Sequence, residues 1–312
     1  MADLTTASTG TGPEIGPGPV VTGHSEFGTR ARTQRQTVLR RFRRHRAAMF
    51  SVVLLALLVL VAVVAPSFYP YNHTYTAGGY FEAPTSAHLL GTDQIGRDMI
   101  ALILRGTQFS LLISIVVAVM ATVIGVTLGA LAGYLGGVVD TVVSRVIDLF
   151  LIFPLIAIVG ILVNAFDGSW YVVAVVLGLF SWMTVARINR GETLSLAQRE
   201  FVETAKALGA GTPRIVFRHI LPNLTGTITV NATLAVAFAV LAEAALSFIG
   251  LGVRPPDISL GLIIQDNYEQ FGDRWWLFWP PFLMIVAISL CINFIGDGLR
   301  DAFDPRQTRV RA

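Results

Sequence analysis

What most constrains this chain is where its charges are missing. No Asp, Glu, Lys or Arg lies between Arg46 and Glu82, Arg105 and Asp140, Asp148 and Asp167, Asp167 and Arg187, Arg218 and Glu243, or Arg274 and Asp297. Each gap spans or nearly spans a bilayer, which takes about 17 to 25 apolar residues per helix. A helix lying on a soluble core would interrupt such a run with a polar face. Composition agrees: the chain is 54% hydrophobic and 14% charged, where soluble domains average roughly 25% charged. The reading is an all-α integral membrane protein with six transmembrane helices.

The net charge of +3 is unevenly spread. Arginines at 30, 32, 35, 40, 41, 43, 44 and 46 precede the first apolar run. The positive-inside tendency puts that end in the cytoplasm, and six crossings return the C-terminus to the same side. Arg187, Arg190, Arg199, Lys206, Arg214 and Arg218 then face inward with Arg300, Arg306, Arg309 and Arg311, while Arg97, Arg105, Arg254 and Arg274 lie outside. No aromatic interleaving or separate basic domain accompanies the arginines, so nucleic acid is not the partner expected. The single Cys291 supports no disulfide framework, and the five histidines lack metal-ligand spacing. Residues 1–45 are expected to be basic and disordered, their first part being rich in Thr, Gly, Pro and Ser. The run Ala47–Ala65 comes too late and is too long for a signal-peptide core.

Between the fourth and fifth gaps lies the longest amphipathic passage, Glu200 to Pro222. It reads as helix, tight turn, helix. Gly209 can close the first helix in a left-handed conformation, and Thr212 can cap the second with Pro213 at its first position. Alone, these residues also fit a solvated amphipathic hairpin. Their pattern resembles the EAA loop of membrane-spanning subunits of bacterial ABC importers, with Glu203, Ala205, Gly209, Leu221 and Pro222 on the family spacing. Thr204 stands for the first Ala of that pattern and His219 for its Ile. The resemblance implies that Glu203, Thr204, Ala205, Gly209 and Pro222 dock on an ATP-hydrolysing partner and carry its motion to the membrane.

Taken in order, helix 1 covers Ala47–Ala65, with Pro66 near its outer end. An external excursion follows, irregular where Pro70, Asn72, Gly78, Gly79 and Pro84 fall, then carrying Gly91, Thr92, Asp93, Gly96, Arg97 and Asp98. Thr92 or Asp93 can cap a short helix there. These six residues resemble the Gly-Thr-Asp-x-x-Gly-Arg-Asp signature of dipeptide and oligopeptide importers, and their physical role would be to pin the outer lip by ion pairs and capping bonds. Helix 2 is expected from Phe109 to Tyr134, with Gly125, Gly129, Gly133 and the following Gly137 spaced by four for close helix packing. Helix 3 is expected over Val142–Val163, bent at Pro154, with Arg145 and Asp148 able to share a face. Asn164, Asp167 and Gly168 turn outside into helix 4, Trp170–Ala186. Helix 5 covers Leu224–Ala245, with Asn231 on the bundle or transport-path side and Glu243 able to line an outer vestibule or reach water. "LSFIGLGVRPPDISLG", Leu246–Gly261, is a second stretch similar to the same importers. Helix 6 starts near Trp275, Trp276 and Trp279 and ends near Phe294.

The resemblance covers about residues 45–306. It divides the chain into the basic segment 1–45, helix 1 with its external segment 46–106, a core 107–299 containing the coupling loop 187–222, and a tail 300–312. It implies a permease working with a second related permease, two ATP-binding subunits and an external solute-binding protein to import dipeptides or oligopeptides across the bacterial plasma membrane. Nickel, opine, glutathione or oligosaccharide cargo fits the same family. No Gly-x-x-x-x-Gly-Lys-Ser/Thr loop occurs, so ATP and Mg belong on the partners, and the chain is no enzyme and binds no cofactor. A secondary transporter or channel would instead call for buried ionisable residues or a repeated pore element.

Overall fold

The computed structural model describes residues 34–76 and 78–304. Expectations for residues 1–33 and for Arg306, Arg309 and Arg311 lie outside them. Among the described residues, five helices are long and apolar enough to cross a membrane, and one sharply bent pair makes a sixth span when its halves are taken together.

The basic segment is not disordered throughout. Gln34–Arg44 forms α1 and Arg46–Val64 forms α2, separated by His45, whose Nδ1 accepts the Ala48 N–H at 3.1 Å. Tertiary contact overrides the composition: α1 packs on the cytoplasmic end of α11 (Trp275–Phe303), where Arg41 donates to the Asp304 carbonyl at 2.9 Å. Pro66 sits in a single 3-10 turn, Ala65–Ser67, that closes α2.

The second span, α3, runs Met99–Leu135, 37 residues and about 55 Å. It begins ten residues before the expected Phe109, with Asp98 as its N-cap accepting the Ala101 N–H at 3.0 Å, and the short helix that Thr92 or Asp93 was expected to cap does not form. At Pro154 the chain does more than bend. Phe153 is extended, as residues before proline prefer, and α4 (Gly137–Ile152) meets α5 (Leu155–Ala165) at 86°. The fourth span, α6 (Trp170–Ala197), continues past Ala186. The fifth is α9 (Thr225–Phe248), followed outside by the short α10 (Leu260–Asn267). The sixth, α11, holds Pro280 and Pro281 and continues past Phe294 to Phe303.

α3 is the spine, packed along α6 and α9 and touching α2 and α10, while α11 leans on α9 and α2. The glycine face explains the first of these contacts. A Cβ on Gly125 would come within 2.7 Å of the Trp182 carbonyl oxygen and of Val185, one on Gly129 would overlap the Ala186 carbonyl, and one on Gly133 would come within 2.7 Å of the Arg190 carbonyl. Partners advance along α6 in step with the glycines, so two helices running the same way touch backbone to backbone. Gly137 leaves the series: it opens α4 with φ +55° and has open space around its Cβ position. At the inner ends, Arg190 of α6 grips Asp140 with both nitrogens of its fork, and Arg187 pairs with Asp148 at 2.7 Å, a partner across helices rather than Arg145 on the same one.

Candidate functional site

The cytoplasmic passage folds as two short helices, α7 (Glu200–Ala207) and α8 (Thr212–Ile215), joined by a tight reversal. Gly209 sits at φ +81°. Its N–H bonds to the Lys206 carbonyl at 2.9 Å and the Ala210 N–H to the Ala205 carbonyl at 3.0 Å, the paired closure that a left-handed glycine permits. The cap of α8 is Gly211; Thr212 has already entered the helix and makes no side-chain cap. Beyond α8 a wide turn, Val216–Ile220, leads through Leu221–Asn223 into α9.

The hairpin has its own core of Val202, Ala205, Ile215, Ile220 and Leu224, against which Tyr134 from the inner end of α3 and Leu196 of α6 pack. Lys206 lies 5.1 Å from the Tyr134 ring centre. This core ties the hairpin to three spans, α3, α6 and α9. The five residues expected to dock therefore divide. Ala205 points inward, where a larger side chain would push α7 away from Ile215, whereas Glu203, Thr204, Gly209 and Pro222 are exposed. Sequence reasoning missed the apolar tips: Leu208 is 83% exposed, Phe217 67% and Phe201 40%. Their apolarity within a charged stretch was the available signal.

On the outer side, the Gly91–Asp98 motif is a knot of satisfied polar groups. The Asp93 carboxylate takes the N–H groups of Ile95 and Arg97 and the Arg97 Nε at 2.7 Å. Thr92 donates to the Gly79 carbonyl at 2.6 Å and accepts the Glu82 N–H at 2.9 Å. Buried Asp98 caps α3 while binding Tyr69 Oη at 3.0 Å and His88 Nδ1 at 2.9 Å. Gly91 and Gly96 have φ of +68° and +82°, and a Cβ on either would strike backbone carbonyls of the excursion, Glu82 and Gly78 respectively. The excursion is thus stapled to the head of α3.

Glu243 does not line a vestibule or reach water: its relative exposure is 0%. Ser110 of α3 donates to its Oε2 at 3.0 Å and Ser247 to its Oε1 at 2.7 Å. Ser247 in turn accepts the Val253 N–H and the Ser259 hydroxyl, and Ser259 caps α10. The Leu246–Gly261 stretch thus folds back over the carboxylate, and the donors converging on it offset its burial. Ser247 lay in the recognised stretch, but Ser110 comes from 133 residues away and carried no signal.

Asn231 behaves differently. Its Nδ2 is buried and has no hydrogen-bond partner among the described residues, and Asn231 lies on a cleft of about 470 Å³ between the α4–α5 break, α6 and α9, lined also by Phe150, Phe153, Phe180, Ser181 and Phe238. Thr233 bonds its own helix at the Thr229 carbonyl. Among the described residues no cluster of His, Cys, Asp and Glu could hold a metal ion.

Comparison with known proteins bears on all of these surfaces. Residues 125–309 match the family model "binding-protein-dependent transport system inner membrane component", and residues 33–84 match the "N-terminal TM domain of oligopeptide transport permease C". The chain is 40% identical over 290 residues to the oligopeptide transport system permease protein OppC of Mycobacterium tuberculosis, covering 92% of this chain and 98% of that one. It is 42% identical over 274 residues to the OppC protein of Salmonella typhimurium, covering 87% and 91%. Among solved structures, an inward-facing form of the MetNI methionine ABC transporter shares the fold, with TM-score 0.54 and 22% identity over 66% of this chain and 98% of that chain. The chain therefore belongs to the inner-membrane permease components of binding-protein-dependent ABC transport systems, in their OppC branch.

Proposed function

We propose that this subunit forms, with a second related permease, the membrane path of an ATP-driven importer of dipeptides or oligopeptides, with two ATP-binding subunits inside and a solute-binding protein outside. The observation that carries the reading is the cytoplasmic hairpin: a unit with its own core, fastened to three spans, that leaves Leu208 and Phe217 bare beside a Glu203 with no ion pair among the described residues. Exposed apolar side chains on a rigid polar element are what a protein partner covers. Pressure on α7 and α8 reaches α3 through Tyr134, α6 through Leu196 and α9 through Leu224. It need not unfold anything on the way.

The α4–α5 break supports the reading from the transport side. Non-helical backbone at membrane depth is tolerated only when buried in protein or facing a water-filled cavity. Phe153 and Pro154 interrupt the span beside Asn231, and we assign that cleft to the subunit's share of the path. Its aromatic walls and lack of charge suit peptides of varied side chains. Outer residues Gly91–Asp98 serve to hold the lip, and Gly125, Gly129 and Gly133 to fuse α3 to α6.

The test is the full transporter in proteoliposomes. Gly209→Val should leave insertion intact and uncouple ATP hydrolysis from labelled-peptide uptake, because valine resists a φ of +81°. Wild-type coupling in that variant removes the docking assignment, and uptake by this chain alone down an ion gradient favours a secondary transporter.

A further inference from the structure

At the outer end of α2 a second cleft, about 400 Å³, opens between the chain at Tyr69–His73 and the first turns of α3. Arg105 lines it. One guanidinium nitrogen donates to Gln108 Oε1 at 2.8 Å, and the group lies 4.4 Å from the Phe109 ring centre. Its Nε is buried with no acceptor, and among the described residues no carboxylate lies within ion-pair distance. Arg97, on the same side of the membrane, contrasts with it by having Asp93. A partly buried guanidinium with an idle donor and no anion is an incomplete site.

His73 lines the same cleft. Burial, followed by the charges of Arg105 and Arg97, holds His73 below the ordinary histidine range. Asp98 is committed to His88, Tyr69 and the α3 cap.

Depth identifies the source of the missing anion. Gln108 donates to the Ala62 carbonyl at 2.6 Å, which sets Arg105 level with Pro66, where α2 leaves the membrane. From Arg105 to the inner end of α3 at Leu135 the helix measures about 45 Å, matching a bilayer of about 40–45 Å with its headgroups. On the membrane side of Pro66, the last turn of α2 presents Val61 and Val64 as exposed apolar surface. An anion at the headgroup plane above an apolar wall is the anatomy of a phospholipid.

We propose that this cleft holds the phosphodiester of an outer-leaflet anionic phospholipid, with Arg105 as its anchoring cation and Asn72 on the facing wall. The lipid fills the gap between α2 and the stapled excursion. It therefore belongs to the folded subunit rather than to the loose annulus around it.

Native mass spectrometry of the assembled transporter, stripped of lipid in detergent and then titrated with phosphatidylglycerol, tests this. Wild type should keep one tightly held lipid through collisional activation that removes the others. Arg105→Gln should lower its retention about tenfold, the loss expected for one charge-assisted bond. Asn72→Asp, an exposed change that brings a negative charge to the cleft without touching packing, should lower it too. Diacylglycerol, with tails but no phosphate, should not be retained, and millimolar inorganic phosphate should not displace the lipid. Equal retention of phosphatidylglycerol by wild type and both variants, or of diacylglycerol by wild type, overturns the proposal. Displacement by inorganic phosphate overturns the lipid in favour of a free-anion site.

Discussion

The outer lip and the cytoplasmic hairpin are both short excursions between spans, and they are built on opposite principles. In the lip nearly every polar group has an internal partner: Asp93, Asp98, Thr92 and His88 are buried and bonded, and the motif glycines lie where any side chain would collide with backbone. In the hairpin the interior is a handful of aliphatic residues, while charge and bulky apolar groups are left facing out. The lip spends its conserving chemistry on itself; the hairpin keeps its own for something else. We read the internally bonded polar motif as a structural device and the hairpin with bare apolar tips as the proposed interface.

The largest test of that contrast is Asp98→Ala. It leaves the Tyr69 hydroxyl, His88 and the Ala101 N–H without their acceptor at a buried site, and should cost about 3 to 5 kcal/mol. Thermal unfolding of the purified subunit should fall markedly, and proteolysis should open the segment between Tyr69 and Leu90. If stability is unchanged while only the response to the binding protein is lost, the lip is an interface and the comparison collapses.

Gly129→Leu comes next. The glycine face meets α6 of the same chain rather than the second permease, so overpacking by about 1 to 3 kcal/mol should appear in this subunit expressed alone. A subunit of normal stability that fails only to co-purify with its partner would move the glycine contact to the interface between permeases.

How much of this was legible follows from where each signal lives. Gaps in charge are one-dimensional, so the spans could be read directly, and Gly209 announced its turn because few other residues tolerate φ +81°. The early start of α3 was hidden because Arg105, Thr107 and Gln108 break the apolar run; Thr107 nonetheless lies buried against the protein and Gln108 on α2. No short helix starts at Thr92 or Asp93 because both are consumed by the excursion, through contacts with Gly79, Glu82 and Arg97. Glu243 was expected near the outer end of its helix with water or a vestibule beside it; it lies five residues before α9 ends at Phe248, and it is buried. Its height follows from counting residues along a helix, while its burial depends on Ser110 and on a returning loop, neither of which the spacing near Glu243 encodes. The glycine stripe likewise showed a face but not the helix pressed against it.

The smallest predicted effects fall on the hairpin's outward face, where two substitutions separate the forces at work. Among the described residues Glu203 makes no ion pair, and it sits in the first turn of α7, where the helix dipole favours a carboxylate. Removing it should barely change the subunit's own stability. If a basic group of an ATP-binding subunit meets it, Glu203→Ala should weaken association by about 0.2 to 1 kcal/mol, and the loss should fade as salt rises. Leu208→Ser, four-fifths exposed and equally harmless to the fold, should weaken association by more than about 1 kcal/mol with little salt dependence, since burial of apolar surface is not screened. Affinity of the reconstituted permease pair for its ATPases, measured for both variants at low and high ionic strength, reads the two terms separately. Equal, salt-insensitive losses would make Glu203 a packing contact, and no loss in either would leave the hairpin a solvated surface like the one its sequence alone also allows.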